Sequence, residues 1–286
     1  MTMEPRVRIA GVPEHFNLPW HLALEKAGFE AQGIRLEWTD VPEGTGRMAE
    51  MLKTGETDLA VILTEGLVKA ASAGVPALIV QQFIETPLLW GLHVGSGSPF
   101  REERDLQGAV AAISRYGSGS HLMAFLHAKA QGWDPKSLQF KVVDTLEGAA
   151  RALSSREADY FMWERFTTQP LVDKGVFRRV GVFPTPWPCF VIAGSRRFVS
   201  GNQSLVNAVL AAVNEVTVGF KQIPGIDRTL STRYGQKPAD IQKWLSLTEW
   251  SQQQIEVETV DYVIQALDQL DLLSGPVKST DLLWQG

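Results

Sequence analysis

The sequence predicts two α/β lobes, one inserted into the other, joined by two strand-like hinge crossings. Three observations carry that expectation. Short apolar runs alternate with helical patterns from the first ten residues onward. A second series of the same kind starts near Asp105, just beyond the extended apolar run Leu89 to His93. After a second such run, Phe190 to Ala193, the remainder is helical, as if the chain had returned to the lobe it left. Strand–helix alternation of this kind argues for a parallel sheet with helices on both faces. The expected division is 1–91 with 193–286 for the first lobe and 92–192 for the inserted one.

Element by element, Arg6 to Ala10 reads as a strand and a helix opens near Pro19, where proline suits a first helical turn. Ile34 to Thr39 alternates apolar and polar residues, and Gly44 to Leu52 starts the next helix. Leu59 to Leu63 is a short apolar strand. Thr64 to Ala73 is helical and stops at Gly74, and Ala77 to Ile84 is a buried strand. In the second series, Ala109 to Ser114 is a strand and Gly117 to Ser120 opens a helix that runs to Gly132. Gln139 to Val143, Thr145 to Ser154, Ala158 to Trp163 and Phe166 to Lys174 follow as strand, helix, strand and helix. The tail carries helices at Ser204 to Phe220, Pro238 to Leu247 and Val257 to Leu270.

Composition excludes several function classes. With 286 residues, 44% hydrophobic and 21% charged, the chain is an ordinary globular one. Its 27 basic residues against 32 acidic ones give a net charge of −5, with no basic stripe to attract a polyanion, so no nucleic-acid partner is expected. Cys189 is the single cysteine, and the five histidines lack metal-ligand spacing, so neither a metal nor a cofactor is expected. No apolar run approaches the roughly 20 residues that span a bilayer. The start MTMEPRVRIAGV has no signal-peptide pattern, which leads us to expect a cytoplasmic protein as written, periplasmic only if a leader was removed.

In open α/β sheets ligands bind beyond the carboxyl ends of the strands, so the candidates lie in the loops there. His15, Asn17 and Trp20 follow the first strand, either as a ligand loop or as a helix cap with core aromatics. Thr45, in Gly44-Thr45-Gly46, and Thr64-Glu65 each open a helix after a strand. Thr86, Pro87 and Trp187 lie beside the expected crossings. Tyr116-Gly117-Ser118-Gly119-Ser120 sets two hydroxyls at a helix start, where the dipole favours a carboxylate, sulfonate or phosphate by about 0.3–1 kcal/mol, and it is not a P-loop. Trp163 and Glu164 close a strand with an indole beside a carboxylate, suited to a ring that bears an amine, or simply to a turn. No nucleophile elbow, SxxK motif or catalytic cysteine setting stands out, so no catalytic residue is assigned.

Taken together, RIAGVPEHFNLPW, VPEGTGRM, GETDLAVILTEGLVKAASAG, DLQGAVAAISRYGSGS, ADYFMWE and PTPWPCFVIA resemble the ABC-transporter substrate-binding family over roughly residues 6 to 193. The resemblance is nearest the branch of sulfonate, taurine and nitrate binders and the thiamine-pyrimidine-precursor synthase, in a leaderless sub-branch with WE and PWPCF signatures. It implies the bilobal periplasmic-binding-protein type II fold, closing like a flytrap on a solute in the inter-lobe cleft. By resemblance the cleft positions are Asn17, Thr45, Thr64, Thr86, Ser118, Ser120, Trp163 and Glu164. The expected ligand is a small zwitterion or an amino-substituted heteroaromatic with an acidic group. The expected protein is a monomer, served by an ABC permease if exported. A cytoplasmic enzyme on the same fold, menaquinone-pathway-like or pyrimidine-precursor-like, is the alternative, with His15 or a glutamate as base. The cysteine-rich motif of the pyrimidine synthase is missing, since Cys189 stands alone.

Overall fold

A computed structural model describes residues 4–286, so the first residues of the N-terminal reading lie outside the described ones. It resolves into two compact units. One joins the chain up to Thr86 with Trp187–Gly286, and the other is Pro87–Pro186.

The first unit opens with β1 (Arg6–Gly11), α1 (Leu18–Glu25), β2 (Arg35–Asp40), α2 (Thr45–Thr54), β3 (Leu59–Leu63), α3 (Thr64–Ser72) and β4 (Ala77–Ile84). Every residue of β3 is buried, as its unbroken apolar run requires of a strand covered on both faces. The second unit holds β5 (Leu89–Gly95), β6 (Val110–Ile113), α4 (Gly119–Ala130), β7 (Gln139–Val142), α5 (Leu146–Ser155), β8 (Tyr160–Glu164), α6 (Gln169–Asp173) and β9 (Phe177–Pro184). Its core gathers Ala112, Ala149, Leu153, Phe161 and Phe177. Gly148, in the first turn of α5, is there for space: a Cβ would lie 1.9 Å from the Val143 carbonyl oxygen. The chain then completes the first unit with β10 (Phe190–Ser195), α7 (Arg196–Gly201), α8 (Gln203–Val218), α9 (Ile226–Tyr234), α10 (Pro238–Leu247), α11 (Val257–Asp268) and α12 (Ser279–Leu282).

Each unit has its own five-stranded sheet, ordered β2-β1-β3-β10-β4 in the first and β7-β6-β8-β5-β9 in the second. The expectation of purely parallel sheets is corrected. β10 runs antiparallel to β3 and β4, and β5 runs antiparallel to β8 and β9. These are the first strands laid down after each passage between units, and each sits fourth in its sheet. The runs expected to be the crossings, Leu89 to His93 and Phe190 to Ala193, are these two strands. The units divide instead at Thr86/Pro87 and Pro186/Trp187. An extended apolar run suits a buried strand as well as a hinge, and the sheet claims both.

Two further expectations change. The helix expected over Phe166 to Lys174 shrinks to α6, because Thr168 and Arg179 hold residues 164–168 in a turn. The edge strand β9 was not expected, since FRRVGVFP carries two arginines. In the first unit the tail lines the outer edge of β4: the amides of Gln82 and Glu85 donate to the carbonyls of Gln253 and Glu249, and the Trp284 amide donates to Ile79. An edge that would otherwise be open to pairing is thereby occupied.

Candidate functional site

At the carboxyl ends of the first unit's strands, the loop after β1 is packed inward. His15 is buried, stacked on Phe16 and edge-on to Trp244, its Nε2 without a hydrogen-bond partner. Burial holds its pKa down to about 3, so the imidazole is neutral. Asn17 is buried with its side-chain amide donating to the Val12 carbonyl at 2.8 Å, while its Oδ1 has no partner. It does not cap α1 through its side chain. Trp20 has no exposed surface and lies among Phe29, Trp38 and Phe83, which makes its ring part of the core.

The starts of α2 and α3 are interlocked. Thr45 Oγ1 accepts from the Leu63 amide at 3.4 Å, and a Cβ on Gly66 would strike the Thr45 methyl at 2.1 Å. Thr64 donates its hydroxyl to the Pro188 carbonyl at 2.6 Å. Thr86 Oγ1 accepts from the Glu249 amide at 3.3 Å. Beside Thr64, Glu65 is sealed from solvent: Oε2 accepts from the Trp187 indole N–H at 2.8 Å, and Oε1 has no donor. Burial pushes its pKa up to about 7, against the pull of the indole and its own backbone amide. Glu85, just past the end of β4, is exposed.

In the second unit the turn before α4 uses Gly117, at φ +80°, to bring the chain round. Ser118 caps α4 by accepting from the His121 amide, and Ser120 Oγ accepts from the Ser114 amide at 3.0 Å. The two hydroxyl oxygens are 3.1 Å apart. One hydroxyl proton closes that contact, which leaves the other for an acceptor. The pair sits where α4 presents its positive end. Tyr116 stands beside it, exposed and edge-on to His121.

The loop after β8 is a polar knot. Trp163 stacks on Phe161, and Glu164 is buried with Oε2 accepting from the Thr167 amide at 2.6 Å. Burial raises the Glu164 pKa, while that amide and Arg179 oppose the rise. His93, not singled out by the sequence, anchors the loop. Its Nδ1 is 3.3 Å from the Phe161 carbonyl, and its Nε2 is 2.8 Å from Thr168 Oγ1 and 3.4 Å from Arg179 Nε. Burial first, then Arg179, lower its pKa to about 3. A neutral ring with the proton on Nδ1 donates to the Phe161 carbonyl and turns the Nε2 lone pair toward Thr168 and Arg179. Gly91 makes the room, since a Cβ there would meet His93 Cε1 at 2.5 Å. Gly-x-His in an apolar strand was the available signal.

Comparison with known proteins fits this architecture. The family model described as Ca3427-like PBP matches residues 90–183. Among curated proteins nothing matches the chain. Among solved structures, the Candida albicans CA3427 gene product, described as exhibiting the generic periplasmic binding protein structural fold, aligns with a TM-score of 0.89 and 23% identity over 98% of this chain and 96% of that one. The alkanesulfonate-binding protein SsuA from Xanthomonas axonopodis pv. citri, bound to MOPS, aligns with a TM-score of 0.83 and 19% identity over 99% of both chains. The periplasmic aliphatic sulphonate binding protein SsuA from Escherichia coli gives 0.74 and 16% over 98% and 92%. The chain thus has the periplasmic-binding-protein type II fold. Within that class, its second unit carries the Ca3427-like pattern. No helix among the described residues is long and apolar enough to cross a membrane.

Proposed function

We propose that the protein is a solute-binding protein whose ligand is a small zwitterion or an amino-substituted heteroaromatic with an acidic group. The ligand would be held at the carboxyl ends of the strands and left chemically unchanged. The observation that supports this most directly is the serine pair at the start of α4, with its spare hydroxyl proton at the positive end of a twelve-residue helix. An acidic group placed there meets a donor and a favourable dipole together. MOPS, the solute of the Xanthomonas SsuA structure, joins a sulfonate to a ring that carries a basic nitrogen and is therefore a fitting first probe. A monomeric state, and an ABC permease partner if the protein is exported, are proposed with it.

The test is a thermal-shift and native mass-spectrometry screen of ligand-stripped protein against MOPS and small acidic metabolites. Bound solute is expected to be recovered unchanged; a recovered product would instead select the enzyme alternative. The Ser118→Ala, Ser120→Ala double variant should lose about 1.5–3 kcal/mol of affinity for an acidic probe, roughly 10- to 150-fold. Unchanged affinity would remove the pair from the site.

A further inference from the structure

We infer that Glu65, Trp187 and Tyr262 form a nitrogen-recognising corner in the first unit, which selects solutes whose ring carries an N–H or a cationic nitrogen. The inference rests on the solute-binding reading and adds to it the residues that set ligand class, two of them from the chain beyond the second passage between units.

Glu65 sits in the first turn of α3, directly past the carboxyl end of β3. A carboxylate offers about four lone-pair sites. The protein fills Oε2 with the Trp187 indole N–H and leaves Oε1 buried without a donor. Among the groups that act on this carboxyl none is a cation. Trp187 cannot swing to supply more, because the residues after it are pinned. Thr64 donates its amide to the Cys189 carbonyl and its hydroxyl to the Pro188 carbonyl, and the Cys189 amide donates to Thr86. The indole N–H is therefore committed to one oxygen, and the other is fixed in place.

The third member comes from the tail. α11 packs on α3 and presents Tyr262, whose ring meets Trp187 at 6.1 Å between centroids and 73° between planes. Tyr262 is 49% exposed, unusual for a large ring in contact with a buried one. An acceptor oxygen at the edge of an indole, with the half-exposed Tyr262 ring set against that indole, is chemistry suited to an ammonium, a protonated heterocycle or an aromatic N–H. A bare sulfonate or carboxylate brings no donor to such a corner and gains nothing from it.

The experiment uses the whole protein and matched probes: MOPS against propanesulfonate and 3-cyclohexylpropanesulfonate, and 3-aminobenzenesulfonate against benzenesulfonate. Calorimetry on wild type should show a preference of about tenfold or more for the nitrogen-bearing member of each set, the scale of one buried hydrogen bond to a charged group. Glu65→Gln should reduce that preference to less than about threefold. Tyr262→Leu, a half-exposed position where folding is not at stake, should weaken the ring-bearing amines and leave 3-aminopropanesulfonate unchanged. Equal affinity of wild type for the members of each set overturns the corner while leaving solute binding intact. A preference that survives Glu65→Gln overturns it as well. Failure of wild type to bind any probe strikes both the corner and the reading beneath it.

Discussion

The two units share one topology and differ in how they treat a buried carboxyl. Each sheet has four strands in one direction and an antiparallel strand in fourth place, and each carries a glutamate at a strand's carboxyl end. In the second unit Glu164 is used by the protein itself, its Oε2 taken by the Thr167 amide within a loop fixed by His93 and Arg179. In the first unit Glu65 keeps an oxygen without a donor. The donor surplus lies in the second unit, in the Ser118–Ser120 pair. The fold therefore decides where the strand-end loops lie, while local hydrogen-bond accounting decides which donors and acceptors each leaves over.

The buried histidines give the sharpest way to break that contrast. Both are held neutral by burial, yet His93 has a polar partner at each ring nitrogen and His15 leaves Nε2 unpaired. Removing one partner from a satisfied buried network leaves the others desolvated and unpaired, at a cost of about 1–3 kcal/mol. His93→Leu should accordingly lower stability by about 2–3 kcal/mol in urea unfolding, through Arg179 and Thr168. His15→Leu should stay within about 1 kcal/mol, because an apolar replacement abandons no hydrogen bond there. Equal losses would show that the polar knot around His93 has no special role in the second unit.

The pH dependence sharpens the same comparison at the next scale down. A folded pKa depressed from 6.5 to about 3 means that His15 and His93 stabilise fully above pH 6.5 and withdraw that stability as pH falls toward 3. Glu65 works in the opposite sense. Its folded pKa is raised to about 7, so its contribution is complete below about pH 4.5 and is lost as pH rises through 7. Each group changes stability by at most about 1.4 kcal/mol per pH unit. Between pH 4.5 and 6.5 the two histidines outweigh Glu65, so the summed contribution of these three groups rises with pH. Glu65→Gln should steepen that rise, as read from urea midpoints at several pH values. A shallower slope in the variant would contradict the assignment of a raised Glu65 pKa.

Much of this architecture is legible in local sequence, and the remainder is hidden for physical reasons. Leu59–Leu63 is an unbroken apolar run and Ala77–Ile84 is apolar but for Gln81 and Gln82, and the structure gives both with those bounds. Strand direction leaves no mark on the pattern, so sequence alone gives the antiparallel β5 and β10 as crossings. β9 was missed because its arginines look like surface residues. Arg178 donates to the carbonyls of Ser98 and Phe100, and Arg179 to that of Arg165, so both serve loops instead of solvent. The state of Glu65 was illegible for a different reason: its donor, Trp187, lies 122 residues away along the chain.

The smallest expected effect separates the two carboxyls most cleanly. The sequence pairs Glu164 with Trp163 and assigns the carboxylate to a ligand amine, which would make Glu164→Gln costly to binding. The structure gives that carboxylate a turn to hold, and a glutamine oxygen can accept from the Thr167 amide just as well. Burial already raises the Glu164 pKa, so a neutral side chain suits the position. Glu164→Gln should then change affinity for MOPS by less than about threefold, under about 0.7 kcal/mol. Trp163→Phe, which keeps the stack on Phe161 but shortens the partly buried indole, should fall in the same range. Glu65→Gln under the same conditions should exceed both, because its free oxygen has no protein donor to fall back on. Calorimetry on the three variants with one probe decides the order. An effect of Glu164→Gln larger than that of Glu65→Gln would return the ligand's nitrogen to the second unit.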